Sequence, residues 1–311
     1  MSDEFINTKI KNDYTKLISS STTKQYNIDD FINKRIENYH KFQEEFTVSP
    51  DCLIKDIKNI NLNYVSYSIL ETATPSASAL IFQISDNLII KIKYYFNRSN
   101  DKEIEVLNIL TNLSINKECP HFPIIYNYLE CNEESKKYSA IITEKADGDF
   151  NNFFKEKYND YELIKNAIEQ IIMSIYFFNN LTGYYHNDCH FGNFLYFKIK
   201  KGGYLKYEIN GEKYNIKNLG YLWIIWDFDK ASLNSSSKIK TTDIKRFILL
   251  LNNYYINGYR YLSSSISKYF QPFDKVKYLI LINNIIDIYN DYDNLFSNIK
   301  KINLLNYIPP P

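Results

Sequence analysis

The feature that most constrains this sequence is a change of pattern at residues 146–149, which read ADGD. Before this point the chain shows short runs of alternating apolar residues, and after it the long patterns are helical. Alternation with a period of two is typical of antiparallel strands, whereas apolar residues spaced three and four apart are typical of helices. The sequence therefore predicts an α+β fold with two lobes: a small antiparallel sheet with one helix, followed by a mainly helical lobe.

The same patterns divide the chain into three regions. Residues 1–60 form a polar N-terminal extension with helical periodicity, 61–148 form the sheet-rich lobe with its connecting segment, and 149–311 form the helical lobe. The periodicity leaves open whether the extension packs on the sheet. Strands are predicted at 64–70, 80–85, 88–94, 122–129, 138–144 and 221–226, a polar hairpin around 202–211, and helices from residue 101 and at 161–181, 242–255 and 274–292.

Composition and charge exclude several classes of protein. Lysine and arginine total 37 against 36 aspartates and glutamates, so no overall field favours nucleic acid or a membrane surface, although a local basic patch is compatible with this balance. The 4 cysteines are scattered without a C-x-x-C pair, which favours a reducing compartment. The polar N-terminus and the short apolar runs predict neither a secretion signal nor a membrane span. We therefore expect a soluble, cytoplasmic protein with no nucleic-acid or membrane partner.

The strongest chemical signal lies at residues 186–195, which read HNDCHFGNFL and follow a long apolar helix. Asp188 can accept the proton of an attacking hydroxyl, and Asn193, five residues later, can hold a metal ion that bridges phosphates. Phosphoryl transfer needs such positioning and charge neutralisation more than it needs covalent help. The plain alternative is a polar loop in which these residues coincide by chance.

A second signal is Asp227, which ends the apolar run 221–226 and begins the tripeptide DFD. A carboxylate at the end of a buried strand is costly unless a cation or hydrogen bonds compensate it. The alternative is an ordinary turn at the end of a strand, and the position downstream of Asp188 argues against it.

A third signal is a pair of lysines in the apolar strand 88–93, which reads LIIKIK. Lys91 and Lys93 lie on the same face, so the pattern does not separate them, but Lys91 is closer to the middle of the strand. We expect Lys91 to approach Asp227 and to pair with Glu103 at the start of the following helix, with Glu105 as the rival partner. Lys93, nearer the strand end, is expected to reach water. The plain alternative is a pair of solvent-facing lysines on an edge strand.

Taken in order, these residues resemble the protein-kinase-like superfamily over roughly residues 60–295. The resemblance implies ATP and Mg²⁺ as cofactors, and Asp188 as the catalytic base. It further implies that Asn193 and Asp227 are the Mg²⁺ ligands, and that Lys91, supported by Glu103, holds the phosphates. Asp243 matches the buried helix aspartate that braces the catalytic loop in that superfamily.

The resemblance also implies an adenine-binding hinge and a loop that covers the phosphates. The residues concerned are the gatekeeper Thr143, the backbone of Glu144 and Ala146, and the small residues Ser76, Ala77 and Ser78 of the loop 72–79. This loop departs from the superfamily pattern because it contains no glycine, so its backbone has less freedom at positive φ. The segment between Asp227 and Asp243 is also short and carries no A-P-E motif.

Within the superfamily, His190 resembles haspin and the small-molecule phosphotransferases rather than ordinary serine/threonine kinases. The insert beginning at Tyr207 resembles haspin and is similar too to the haspin-like kinases of large DNA viruses. The low content of glycine and arginine suits an AT-rich genome such as that of a large DNA virus. For a viral protein, the expected cytoplasmic location would be the host cytoplasm or the virion. We therefore expect a serine/threonine protein kinase acting on a protein hydroxyl. The alternatives are a small-molecule kinase of the aminoglycoside or choline type, and a pseudokinase scaffold, to which the glycine-free loop and Asp229 point.

Overall fold

The computed structural model describes residues 26–45, 68–69, 79–83, 87–95, 101–133, 136–157, 160–209, 212–233, 243–244, 246–248, 250–251 and 302–304. The predicted helix at 274–292, the loop with Ser76, Ala77 and Ser78, and most of the predicted strand at 64–70 lie outside these residues. The described elements mix helices with antiparallel strands, as the sequence predicts for an α+β fold.

The first half of the chain is built on a five-stranded antiparallel sheet, which confirms the predicted meander. Its strands are β1 (Ser68–Ile69), β2 (Ala79–Gln83), β3 (Leu88–Tyr95), β4 (Ile125–Glu133) and β5 (Lys136–Glu144), in the order β1-β2-β3-β5-β4. The central strand β3 pairs on both sides, so that Lys91 lies opposite Ile81 of β2 and Ile141 of β5. Lys91 is therefore well inside the sheet.

Two helices cover opposite faces of this sheet. Helix α1 (Ile28–Glu45) places Phe42 in an apolar cluster with Ile90 and Ile92 of β3. Helix α2 (Asp101–Ile115) covers the other face, the one that carries Lys91 and Ile141. The sequence left open whether the N-terminal extension packs on the sheet, and the described part of it does.

The second half of the chain is organised around α4 (Tyr161–Thr182), a long apolar helix that follows the short α3 (Phe150–Lys157). Asp160 begins α4 by accepting a hydrogen bond from the backbone N–H of Leu163 at 3.1 Å. Gly183 ends it in the left-handed conformation, with φ of 74°, where a side chain would be strained. The apolar side chains of α4 from Ile164 to Phe178 are buried in the main core, which also contains residues of α2.

Short strands then bring distant parts of the chain together. They are β6 (Gly148–Asp149), β7 (Tyr184–Tyr185), β8 (Phe194–Lys198), β9 (Tyr204–Ile209), β10 (Glu212–Lys217), β11 (Tyr221–Ile225), β12 (Ser232–Leu233) and β13 (Ile302–Leu304). They form the sheets β11-β8-β6, β10-β9-β13 and β12-β7. The predicted hairpin is β9 and β10, and the predicted strand 221–226 is β11. None of the helices in the described part of the chain is long and apolar enough to cross a membrane.

Two of these pairings decide where the chemistry-bearing loops lie. The start of β8, at Phe194, is paired with the end of β11, at Ile225. The residues before Phe194 and after Ile225 are therefore neighbours, and these are the segments that carry Asn193 and Asp227. In the same way, Tyr185 of β7 is paired with Ser232 of β12, so the beginning of the Asp188 loop lies beside the residues that follow Asp227.

Candidate active site

The Lys91 side chain joins the first sheet to the second half of the molecule. Its ammonium donates to Glu103 Oε1 of α2 at 3.1 Å and to Asp227 Oδ1 at 2.5 Å, and it lies 5.6 Å from the ring centre of Trp226. The Lys91 side chain is only 3 % exposed, so an unpaired charge there would be strongly destabilising. The sequence reasoning anticipates this arrangement for Lys91.

Lys93 does not reach water, and that part of the prediction is wrong. Its ammonium donates to the second oxygen of Glu103 at 2.9 Å and also pairs with Asp229, and its side chain is 4 % exposed. The physical reason is that Glu103 has two oxygens, so it can bind both lysines of the same strand face. The rival Glu105 is exposed and interacts with the Tyr184 hydroxyl instead.

The charges in this cluster determine the ionisation of its members. Burial favours the neutral form of Lys91, but attraction to Glu103 and Asp227 outweighs burial and raises the lysine's pKa to about 12. Burial would raise the pKa of Asp227, but the nearby Lys91 outweighs it and lowers that pKa. Burial and the neighbouring Lys91 lower the pKa of Lys93. Lys91 and Asp227 are consequently charged at neutral pH.

The loop that carries Asp188 is fixed by a buried carboxylate, that of Asp243. Asp243 accepts hydrogen bonds from the backbone N–H groups of His186 at 2.7 Å and Asn187 at 2.9 Å, and from the Asn179 side chain at 3.1 Å. It is only 1 % exposed. Three donors compensate the burial of one carboxylate, so Asp243 fixes the backbone immediately before Asp188, as the sequence reasoning expects.

One hydrogen bond closes the Asp188 loop on itself, and two more connect it to the strand that precedes Asp227. The Asn193 amide donates to the Asp188 carbonyl at 2.9 Å, and the Trp226 N–H donates to the Asn193 carbonyl at 2.8 Å. Nε2 of the buried His186 bonds to the Trp226 carbonyl at 2.9 Å. A carbonyl only accepts, so Nε2 carries a proton. Asp188, Asn193 and Asp227 therefore belong to one connected unit.

Backbone strain is found in the same unit. Asn187 has φ of 61° and Asp227 has φ of 67°, in a region that residues with a side chain rarely adopt. Such conformations persist only where the surroundings enforce them, and they cluster at functional sites. Here the Asp243 carboxylate holds Asn187, and the Lys91 ammonium holds Asp227. The strain marks the residue before Asp188 and Asp227 itself.

The Asp188 carboxylate, only 14 % exposed, is close to three groups that carry or can carry positive charge. Lys230 Nζ lies 2.8 Å from Oδ2, Arg246 Nη2 lies 3.8 Å from Oδ1, and His190 Nε2 lies 3.9 Å from Oδ2. Arg246 also donates to the Asn187 carbonyl at 2.5 Å. The sequence analysis does not identify Lys230 or Arg246 as neighbours of Asp188. Their positions, three residues after Asp227 and one helical turn after Asp243, are the features of the sequence that could have indicated them.

The residues proposed as metal ligands offer the atoms that a hard cation requires. The Asn193 amide nitrogen donates to the Asp188 carbonyl, which leaves its Oδ1 as the atom that could bind a cation, and Asp227 offers a carboxylate. Among the described residues, Glu103, Asp227 and Asp229 also offer carboxylate oxygens within 4.8 Å of one another. Oxygen ligands of this kind suit Mg²⁺. The donor set therefore fits the cation implied by the resemblance.

The predicted hinge residues lie at the end of β5. Thr143 is buried and its hydroxyl donates to the Ile124 carbonyl at 2.9 Å. Lys145 N–H donates to the Asn87 carbonyl at 2.7 Å, and Ala146 is half-buried. In the ladder, Thr143 lies opposite Ile89, two residues before Lys91. The predicted adenine-binding segment thus adjoins the strand that carries Lys91.

The predicted hinge role of Glu144 concerns its backbone, whereas its side chain is bound by Arg35 of helix α1. Arg35 forms a two-point ion pair with its carboxylate, which also accepts from the Ile124 N–H at 2.9 Å. The same guanidinium donates to the carbonyls of Pro120 at 3.1 Å and Phe122 at 2.7 Å. Both side chains are buried, so this ion pair fixes α1 against the predicted hinge. Nothing in the periodicity of the extension indicates this contact.

Comparison with known proteins adds one finding. Over 234 residues the chain is 27% identical to the protein named probable serine/threonine-protein kinase 380R of Invertebrate iridescent virus 6. The aligned part covers 68% of this chain and 40% of the viral protein. No protein-family model matches the sequence.

Proposed function

We propose that the chain is an ATP-dependent phosphotransferase, a serine/threonine protein kinase of haspin-like type. The observation that carries the proposal is the Lys91 ammonium, which lies between the carboxylates of Glu103 and Asp227 at 3.1 and 2.5 Å. A lysine held by two acids in this way is positioned to meet the phosphates of a nucleotide. The similarity to a viral protein named as a kinase supports the same class of activity.

The roles follow from the chemistry of each side chain. Lys91 contacts the nucleotide phosphates, and Glu103 keeps it in place. Asn193 and Asp227 hold Mg²⁺, which, when bound, neutralises charge on the phosphate oxygens. Asp188 accepts the proton of the acceptor hydroxyl while that oxygen bonds to the γ-phosphorus. The bond from the γ-phosphorus to the bridging oxygen breaks, and ADP leaves.

The remaining assignments complete the proposal. Residues 61–148 act as an N-terminal lobe with hinge and 149–311 as a C-terminal lobe, with the nucleotide between them. Thr143 and the backbone of Glu144 and Ala146 contact adenine, and Ser76, Ala77 and Ser78 cover the phosphates. The proposed setting is the cytoplasm, which for a viral protein means the host cytoplasm or the virion. The acceptor is a serine or threonine hydroxyl of a protein.

A transfer assay with γ-labelled ATP tests the proposal. The full chain is incubated with Mg²⁺ and a panel of serine- and threonine-containing proteins and hydroxyl-bearing metabolites, while nucleotide binding is followed separately by thermal shift. We expect a Mg²⁺-dependent shift and label in protein. Label only in a metabolite would replace the protein-kinase assignment by a small-molecule kinase. A shift without transfer, or neither signal, would favour a scaffold and overturn the enzymatic proposal.

A further inference from the structure

The surroundings of the Asp188 carboxylate hold more positive charge than that carboxylate requires. Lys230 already binds it at 2.8 Å, yet Arg246 lies 3.8 Å from its other oxygen. Both cationic side chains remain open to solvent, with 61% of Lys230 and 51% of Arg246 exposed. They are therefore able to bind a further anion without leaving Asp188.

The sequence around these two residues is itself basic. The stretch from Lys230 to Arg246 contains five cationic residues, Lys230, Lys238, Lys240, Lys245 and Arg246, in a chain whose net charge is only +1. Its single acidic residue, Asp243, is 1 % exposed and is bound to backbone N–H groups. Asp243 therefore does not offset the exposed charges of Lys230 and Arg246.

The positive charges of Lys230 and Arg246 are separate from those of Lys91 and Lys93, on the side of the site where the nucleotide is proposed to bind. Lys91 and Lys93 lie on the β3 side of the site, and each is bound to carboxylates of Glu103, Asp227 or Asp229. Lys230 and Arg246 lie on the Asp188 side, and Arg246 also holds the Asn187 carbonyl. Under the proposed mechanism, the Asp188 side is where the acceptor hydroxyl must arrive, because its proton goes to Asp188.

From this distribution we propose that the acceptor is an acidic polypeptide segment, a serine or threonine flanked by carboxylates. The inference rests on the proposed function and names its substrate class. Flanking carboxylates bind Lys230 and Arg246, while the hydroxyl between them faces Asp188. A polypeptide fits better than a small anion, because Lys230 and Arg246 approach different oxygens of the Asp188 carboxylate and so match charges on two sides of a hydroxyl rather than one compact charge.

A positional-scanning peptide library tests the inference. Each peptide has a fixed serine or threonine and one flanking position set to glutamate, alanine or lysine, and transfer from γ-labelled ATP by the full chain is measured at low and high salt. We expect glutamate to exceed lysine at one or more flanking positions by about tenfold in kcat/KM at low salt. The preference should shrink at high salt, since exposed charges are screened.

Two variants and a control connect this preference to the residues. Arg246→Gln and Lys230→Gln should each reduce the preference for glutamate by about threefold, mainly through the KM of the acidic peptide. Lys213→Gln, which alters an exposed lysine on the β9–β10 hairpin, should leave the preference unchanged. A purely structural role for Lys230 or Arg246 would instead lower transfer to acidic and neutral peptides by the same factor.

The outcomes separate this inference from the proposed function. Transfer without a preference, or with a preference for lysine, overturns the acidic acceptor and leaves the kinase proposal intact. Transfer to a phosphorylated sugar but to no peptide also overturns it, in favour of a small anionic acceptor. Absence of transfer to any acceptor, with or without ATP binding, removes both the inference and the enzymatic proposal.

Discussion

Asp188 is held so tightly that its role can be tested by replacing a single oxygen with nitrogen. Its carbonyl binds Asn193 and its carboxylate binds Lys230, at 2.9 and 2.8 Å. Because a base acts on the acceptor rather than on ATP, Asp188→Asn should lower transfer by at least about 100-fold while nucleotide binding persists. Asp30→Asn, at an exposed position in α1, serves as the control. A rate close to that of the wild type would remove Asp188 from the mechanism.

Asn193 and Asp227 lead to a different prediction, one that concerns the metal. Each offers an oxygen to a hard cation, so Asn193→Ala and Asp227→Asn should both raise the Mg²⁺ concentration that gives half-maximal transfer. Asp227→Asn should have the larger effect, since it also removes a charge that binds Lys91 at 2.5 Å. Titration of activity with Mg²⁺ measures this, and an unchanged midpoint in both variants would contradict the assignment.

At the residue scale the sequence predicts the neighbours of Lys91 but not those of Lys93. Period-two alternation places both lysines on one face and cannot show that one glutamate binds both. Lys230 and Arg246 were missed for a related reason. Their approach to Asp188 depends on the pairing of β7 with β12 and on the helical turn after Asp243, which are contacts between distant segments. The spacing of residues within a motif does not predict such contacts between distant segments.

At the element scale, the docking of α1 depends on the buried pair of Arg35 and Glu144. Removing one partner leaves an uncompensated buried charge, so Arg35→Ala should lower the free energy of unfolding by roughly 3 kcal/mol or more. Lys34→Ala, on the same helix, removes only a surface pair with Glu37 and should cost less than about 1 kcal/mol. Urea unfolding measures both values.

A double variant separates the cost of an unpaired buried charge from the loss of the ion pair itself. The double change Arg35→Met and Glu144→Gln removes both charges together, so it should cost less than Arg35→Ala alone. If instead all of these variants unfold at the urea concentration of the wild type, α1 does not depend on the pair.

The segment after Asp227 leads to a prediction about regulation. Phosphorylation commonly orders such a segment by pairing a new phosphate with arginine. Here the segment between Asp227 and Asp243 is short, and no arginine precedes Asp188 in its loop, so a new phosphate has little to organise. We therefore expect the transfer activity of purified protein to survive phosphatase treatment, with mock-treated protein as the control. Loss of activity on treatment would show that a phosphate is required.

The elements themselves follow largely from the sequence. The central strand, predicted at 88–94, is β3 (Leu88–Tyr95), and the helix predicted at 161–181 is α4 (Tyr161–Thr182). Both are long, strongly patterned segments, where periodicity is most informative. The short strands β6, β7 and β12, two residues each, were not predicted, since two residues carry no period. They nevertheless bring the loops of the candidate site together.

At the scale of the whole molecule, one buried histidine ties together segments far apart in the chain. His121 is fully buried; its Nδ1 contacts the Trp223 carbonyl and its Nε2 contacts the Tyr207 hydroxyl, both at 2.6 Å. The carbonyl can only accept, so Nδ1 carries the proton and Nε2 accepts from Tyr207. This arrangement requires neutral imidazole. Burial is the main cause that lowers the pKa of His121 to about 4, and Arg35 adds to the effect.

The lowered pKa makes stability depend on pH in a defined window. The unfolded chain binds a proton at this histidine near pH 6.5, whereas the folded chain does so only near pH 4. The unfolded state therefore holds more protons between these values, and the free energy of unfolding should fall as the pH falls from 6.5 to 4. The full loss from His121 is about 3 kcal/mol, because each unit of pKa difference corresponds to roughly 1.4 kcal/mol.

Replacing the histidine isolates its share of this dependence. In His121→Gln the free energy of unfolding should be lower at pH 7, because the bonds to Trp223 and Tyr207 are weakened, but it should fall less steeply between pH 6.5 and 4.5 than in the wild type. His40→Gln, at an exposed position in α1, should keep the wild-type slope. Urea unfolding at intervals across this range measures the slopes. Equal slopes in His121→Gln and wild type would mean that His121 is protonated as readily in the folded chain as in the unfolded one, and that it does not hold the molecule together as a neutral bridge.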